Sequence, residues 1–217
     1  PIDWPRYLGL DFGQTHTAAV FLAEEPRKDP KAQRRLYVYR VYGPAGGLTP
    51  VQHRAVLLAG EPQTPISYGG SHSEDAWRRE YRNAGLLVQE PPNIGVEVGI
   101  DRVYGGFARD EWLIFDDLLP LIEDLGSYSR QLNEAGEPIP DTIEDKEDFH
   151  LLDAWRYIAA VLMQPTVDLQ AAQTEVVFTG GDEEPVPSGR NLIEEYKRNL
   201  RRKAAELERE REAAKRG

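Results

Sequence analysis

The stretch Tyr7-Leu8-Gly9-Leu10-Asp11-Phe12-Gly13-Gln14-Thr15-His16-Thr17-Ala18-Ala19-Val20-Phe21 opens with an apolar run that holds one acid. It breaks at Gly13 and resumes as a second apolar run from Ala18 to Leu22. This pattern predicts two strands, over residues 6–12 and 17–23, joined by a tight connection. Asp11 is the anomaly. A carboxylate set among leucine and phenylalanine costs several kcal/mol if buried without a partner, so it calls for a hydrogen-bond donor or a metal ion. The other reading is local: Asp11 caps the turn through its own side chain.

Working outward, Leu36, Val38 and Arg40 alternate with Tyr37, Tyr39 and Val41, a third strand that extends the first two into an antiparallel meander. The charged segment 24–34, with its two prolines, is the exposed connection before it. Thr49 before Pro50 supplies the N-cap and first turn of a helix that ends at Gly60. A short strand over 65–68 closes on Gly69-Gly70. Ser71 and Glu74 then stand at capping-box spacing, ahead of a helix over 74–83 that stops at Gly85.

The pattern continues with a brief strand over 86–89 and a short amphipathic helix from Val96 to Val103, bounded by Gly105-Gly106. A strand over 112–115 follows, then a helix over 118–125 with Pro120 in its first turn, then a hairpin or loop over 128–143. Residues 146–163 read as a helix containing Phe149-His150-Leu151-Leu152-Asp153-Ala154-Trp155-Arg156-Tyr157-Ile158. Beyond it, 174–179 suits one more strand and 181–190 a linker. Residues 191–217 suit a charged, solvated helix, because Leu192, Leu200 and Leu207 form no sustained heptad seam.

The chain has 217 residues and 40% hydrophobic content, enough for one substantial core with an appendage. No run approaches the ~20 apolar residues of a membrane span, and no secretory signal pattern opens the chain, so a soluble protein without a membrane partner is expected. The absence of cysteine excludes disulfides and thiolate metal sites, which fits an intracellular protein. The chain starts at Pro1 and its single methionine is Met163, as a fragment, a processed chain or a trimmed one would. A net charge of −11 opposes DNA binding, although the residues from Ser188 onward carry a net +4. Weak DNA affinity is the expectation.

A strand with a central Asp followed by Gly, and a late helix with Asp-Ala-x-Arg-Tyr, resemble the C-terminal nuclease domain of the large terminase subunit of tailed phages, a member of the RNase H-like nucleases. Gly69-Gly70-Ser71-His72-Ser73-Glu74, Val96-Glu97-Val98-Gly99-Ile100-Asp101-Arg102-Val103-Tyr104 and Glu123-Asp124-Leu125-Gly126-Ser127-Tyr128-Ser129-Arg130 carry further matches, in family order, so that the resemblance spans residues 7–162. It implies an α/β fold: an RNase H-like mixed sheet with an antiparallel three-stranded start, helices on both faces, and the charged C-terminal helix as an addition. The nuclease domain would occupy residues 1–180.

The resemblance further implies a metal-dependent endonuclease that cuts double-stranded DNA during genome packaging in the cytoplasm of an infected bacterium. Two Mg²⁺ or Mn²⁺ ions are its expected cofactors; such ions prefer hard oxygen ligands. Asp11 and Asp153 take the placements of the catalytic, metal-binding acids, one at a strand centre and one on a crossing helix. The family usually adds a second acid at the end of the next strand, where this chain has Ser67, Tyr68 and Gly69. Glu74 is the candidate replacement for catalysis and metal binding, with a capping box to Ser71 as its other reading. Many relatives also carry an Asp directly before the helix histidine, where this chain has Phe149.

Around these acids, His16 is either a phosphate contact or an ordinary turn residue. His150, three residues before Asp153, supports the acid or packs the helix. Arg156 pairs with Asp153 or meets a DNA phosphate, the pairing being favoured. No Gly-x-x-x-x-Gly-Lys-[Ser/Thr] motif is present, so the ATPase motor expected beside such a nuclease belongs elsewhere. That motor, the small terminase subunit, the portal and double-stranded DNA are the implied partners. Two other functions stand beside this one: a nuclease-fold docking or DNA-guiding module with weak or no cleavage, and an actin-like ATPase fragment suggested by Asp11-Phe12-Gly13-Gln14-Thr15.

Overall fold

The computed structural model describes residues 1–13, 15–136, 138–145 and 148–163. The expected strand over 174–179, the linker, the C-terminal helix and the domain boundary at residue 180 lie outside the described residues.

Strands β1 (Arg6–Asp11), β2 (Thr17–Glu24) and β3 (Leu36–Ala45) form the antiparallel meander. Helix α1 (Pro50–Leu58) leads to β4 (Ile66–Gly69), which pairs parallel with β1. Helix α2 (Asp75–Asn83) leads to β5 (Val88–Gln89) on the outer side of β4. Helix α3 (Val96–Ala108) then crosses to β6 (Trp112–Ile114), parallel to β3 at the other edge. The sheet order is β5-β4-β1-β2-β3-β6. Helix α4 (Leu119–Ser127), a hairpin of β7 (Arg130–Leu132) and β8 (Pro138–Ile143), and helix α5 (His150–Leu162) complete the described chain.

Strand alternation assigns the two faces of β1. Leu8 and Leu10 join Phe12, Phe21, Leu57, Tyr81 and Val88 in a core covered by α1 and α2. Tyr7, Gly9 and Asp11 point the other way, toward Trp155 and Ile158 of α5 and a core that includes Val20, Val38, Leu121 and Leu151. Helices therefore cover both faces. Asp11 belongs to the α5 face by the same periodicity that sends Leu10 to the other.

Helix α5 lies against β1 because Gly9 has no side chain: a Cβ there would meet the Ala154 carbonyl oxygen at 2.1 Å. Its far end is tied down by Arg34, which donates to the Leu162 carbonyl at 2.5 Å and pairs with Glu24. The last carbonyls of a helix lack intrahelical partners, so this bond satisfies one of them.

The expected stop of α3 at Gly105-Gly106 is overridden. The helix runs on to Ala108, and glycines inside its body make room for neighbours: Gly99 for the Arg156 side chain and Gly106 for the Trp112 indole. Trp112 Nε1 donates to the Val103 carbonyl at 2.9 Å. Helix α5 starts at His150, later than the expected residue 146; Phe149 is buried against the Tyr128 ring and turns the chain into the helix.

On the opposite face, His53 of α1 is 2% exposed, with Nδ1 2.8 Å from the Tyr42 hydroxyl and Tyr81 beside its ring. Burial pulls its pKa below 6.5. The folded state thus disfavours the protonated ring, and stability present above the unfolded value of about 6.5 falls as pH drops below it. The stability difference between the protein and a His53→Gln variant should therefore shrink between pH 7.5 and pH 5, as read by urea unfolding at each pH. A constant difference would contradict the buried neutral ring.

Candidate active site

The parallel register of β1 and β4 puts Leu10 beside Gly69, and the Gly70 amide donates to the Leu10 carbonyl at 3.0 Å. Both strands therefore end at the same sheet edge. Asp11 sits there, 8% exposed, and the loop toward Glu74 leaves from there. The N-terminal turn of α5 lies over the same edge. His150 Nδ1 is 2.9 Å from Asp11 Oδ2. A carboxylate can only accept, so the shared proton sits on Nδ1 and a neutral ring keeps Nε2 as its acceptor.

Asp153 is one turn further along α5. Its Oδ1 takes two hydrogen bonds from Arg156, at 3.0 Å from Nε and 2.9 Å from the terminal nitrogen. Arg156 also lies over the Tyr157 ring, its Cζ 4.6 Å from the centroid. Tyr157 follows Arg156 on α5. Its hydroxyl is pushed up to about 12, first by burial and then, against the opposing charge of Arg156, by the charges of Asp11, Asp153 and Glu74.

Glu74 occupies the N-cap position of α2 rather than its first turn. One arm of the expected capping box forms: the Ser71 amide donates to Glu74 Oε2. The other does not, since the Ser71 hydroxyl pairs with that of Ser73. Arg78, 4% exposed, holds the loop from inside by donating to the carbonyls of Gly69, Ser71 and His72. At Gly69, the last residue of β4, and at Gly70 a carboxylate is sterically barred. A Cβ at Gly69 would meet the Leu10 carbonyl at 2.3 Å, and Gly70 has φ +75° with Phe12 2.5 Å from its missing Cβ.

His16 stands in the connection between β1 and β2 and stacks on His150, ring centroids 3.8 Å apart. Its Nδ1 meets the Thr15 hydroxyl at 2.8 Å. It therefore belongs to the same cluster as Asp11 and His150. Asp124 of α4 lies in one of the stretches that carry the family resemblance, yet the sequence assigns it no role at the site. Its carboxyl is pushed up to about 6 by burial and by Glu123 and Asp148, against the opposing pull of His150.

The donors suit a hard divalent cation: carboxylate oxygens at one sheet edge, with Asp11 inside an apolar strand. Among the described residues, however, no three such side chains are gathered as a ready ligand set. The oxygens at hand are engaged by His150, Arg156 and the Ser71 amide. An ion would share or displace those partners.

The six-stranded mixed sheet with helices on both faces defines an RNase H-like α/β fold. The fold is similar to that of solved large-terminase structures. The large terminase of a thermophilic bacteriophage superposes with TM-score 0.59 at 18% identity, over 75% of this chain and 41% of that one. The large terminase nuclease domain of bacteriophage SPP1 with bound Mn matches with TM-score 0.52 at 20% identity, over 70% and 84%. The large terminase nuclease of the thermophilic phage G20c matches with TM-score 0.51 at 14% identity, over 73% and 83%. No protein-family model and no curated protein matches the sequence. The match spans less than half of the first of these terminases.

Proposed function

We propose that this chain is a divalent-metal-dependent endonuclease that cleaves double-stranded DNA during phage genome packaging. The observation that carries the reading is the meeting of Asp11, at the end of a central strand, with the His150 and Asp153 turn of α5, in a terminase nuclease fold. Asp11 and Asp153, with Glu74 as third acid, would hold Mg²⁺ or Mn²⁺; the SPP1 nuclease domain is a structure with bound Mn. When bound, a pair of such ions supplies the attacking hydroxide and stabilises the leaving oxygen. His150 fixes the Asp11 carboxylate through its Nδ1 proton. Arg156 balances the charge of Asp153 and fixes its rotamer. Tyr157, its hydroxyl raised by burial, keeps its proton at neutral pH. An ATPase motor, the small terminase subunit and the portal complete the proposed assembly, in the host cytoplasm. None of the helices among the described residues is long and apolar enough to cross a membrane.

Metal binding is tested apart from cutting. A ligand that binds only the folded state at a hundredfold excess over Kd adds about 2.7 kcal/mol of stability. Adding Mn²⁺ should raise the melting temperature by several degrees, EDTA should reverse this, and Asp11→Asn should abolish it. A melting curve indifferent to Mn²⁺ and Mg²⁺ would overturn the metal-site reading. It would favour the second one, a nuclease-fold docking or DNA-guiding module, for which the bar to any acid at Gly69 and Gly70 speaks.

A further inference from the structure

Helix α2 carries Arg78, Arg79 and Arg82, and between α2 and the edge strand β5 lies an open concavity of about 370 Å³ lined by all three, with Gln89 and Glu90 opposite. The three arginines differ in their partners. Arg78 is buried and consumed by Asp75 and by the carbonyls of the loop before α2. Of the nearby acids, Asp75 holds Arg78 and Glu90 pairs with His72, while Glu80 lies exposed on α2 between the other two arginines. Arg79 and Arg82, both exposed, form no ion pair among the described residues. They stand three positions apart, hence on one side of the helix. They are two exposed cations in a chain of net charge −11.

The two arginines lie on the helix that Glu74 caps. Glu74 is the N-cap of α2, and at 1.5 Å per residue Arg79 and Arg82 follow it by about 8 and 12 Å along the helix axis. Each strand of a duplex carries one negative charge per about 3.4 Å of its axis, so a single strand laid along α2 offers a phosphate to each guanidinium. An arginine fork is suited to phosphate oxygens. The remaining acidic surface would repel the same polyanion, which makes a local anchor necessary.

We infer that the α2–β5 groove is a docking track for the phosphate backbone of duplex DNA, with Arg79 and Arg82 as its two anchoring cations leading the strand toward the Asp11, Glu74 and Asp153 edge. This deepens the endonuclease reading and rests on it. The track positions substrate and takes no part in bond breaking.

The test uses the whole chain and a short fluorescein-labelled DNA duplex, with binding read by anisotropy in EDTA over a salt series. Arg79→Glu/Arg82→Glu is compared with Lys28→Glu/Lys31→Glu, which makes the same change of net charge in the β2–β3 connection, at the opposite end of the hairpin from Asp11. The α2 variant should bind about 10-fold or more weakly and flatten the log K against log salt slope by about 2, at roughly 0.9 for each phosphate no longer neutralised. The Lys28/Lys31 variant should match the unmodified chain. Arg79→Gln/Arg82→Gln should fall between, a grading that a folding defect would not give, and melting curves confirm the fold of each. Equal binding by all variants, an equal loss in both reversals, or no duplex binding by the unmodified chain at low salt would overturn the inference. Cleavage with Mn²⁺ judges the endonuclease reading separately: cutting with an inert groove sinks only the track, and a groove that binds without any cutting sinks only the enzyme.

Discussion

Asp11→Asn and Asp153→Asn should each lower Mn²⁺-dependent nicking of supercoiled plasmid by more than about 100-fold while leaving the fold intact. The amide keeps the volume of the carboxylate and an oxygen that accepts from His150 or Arg156, so packing around β1 and α5 survives. What is lost is the negative charge that a hard cation needs. Glu74→Gln separates the two roles of that residue. Its amide oxygen still accepts from the Ser71 N–H, so the loop stays capped and only a metal-binding role would cost activity. Nicking rates and melting temperatures measured together give the answer. Activity within about threefold of the unmodified chain for either Asn variant would remove that acid from the reaction.

The second large effect is structural. Gly9→Ala places a methyl 2.1 Å from the Ala154 carbonyl oxygen and 3.1 Å from Ile158 Cγ2. Backbone cannot give way as a side-chain tip can, so α5 must lift from the sheet, at a cost of about 3 kcal/mol or more. The same shift draws His150 and Asp153 away from Asp11. Gly126→Ala in α4 is the contrast: its Cβ would meet nothing within 4 Å, and alanine in place of a helical glycine should stabilise by about 0.5–1 kcal/mol. Urea midpoints should therefore move in opposite directions for two identical chemical changes. A Gly9→Ala midpoint equal to or above that of the unmodified chain would show that α5 does not rest on Gly9.

Much of this was legible in the sequence because it depends on local pattern. The strand alternation around Asp11 assigns its face, and Thr49-Pro50 opens α1 with both arms of a capping box in place. What escaped depends on neighbours distant in sequence. Gly105 and Gly106 read as a stop until Trp112 is seen to need the space at Gly106. Asp124 sits in a stretch that carries the resemblance, but what raises its carboxyl, burial and the charges of Glu123 and Asp148, emerges only in the fold. The burial that raises the Tyr157 hydroxyl is likewise a product of the fold. Glu74 is intermediate: its spacing from Ser71 announces a turn device, and half of that device is what forms.

Asp11 and His150 touch across 139 positions of chain. During synthesis the strand that bears the first acid therefore emerges long before the helix that completes the cluster, and the intervening elements must be made before the two can meet. A nascent or partly assembled chain holds Asp11 without α5, so under the proposed endonuclease reading cutting power would arrive only once α5 is made, a safeguard for any DNA nearby.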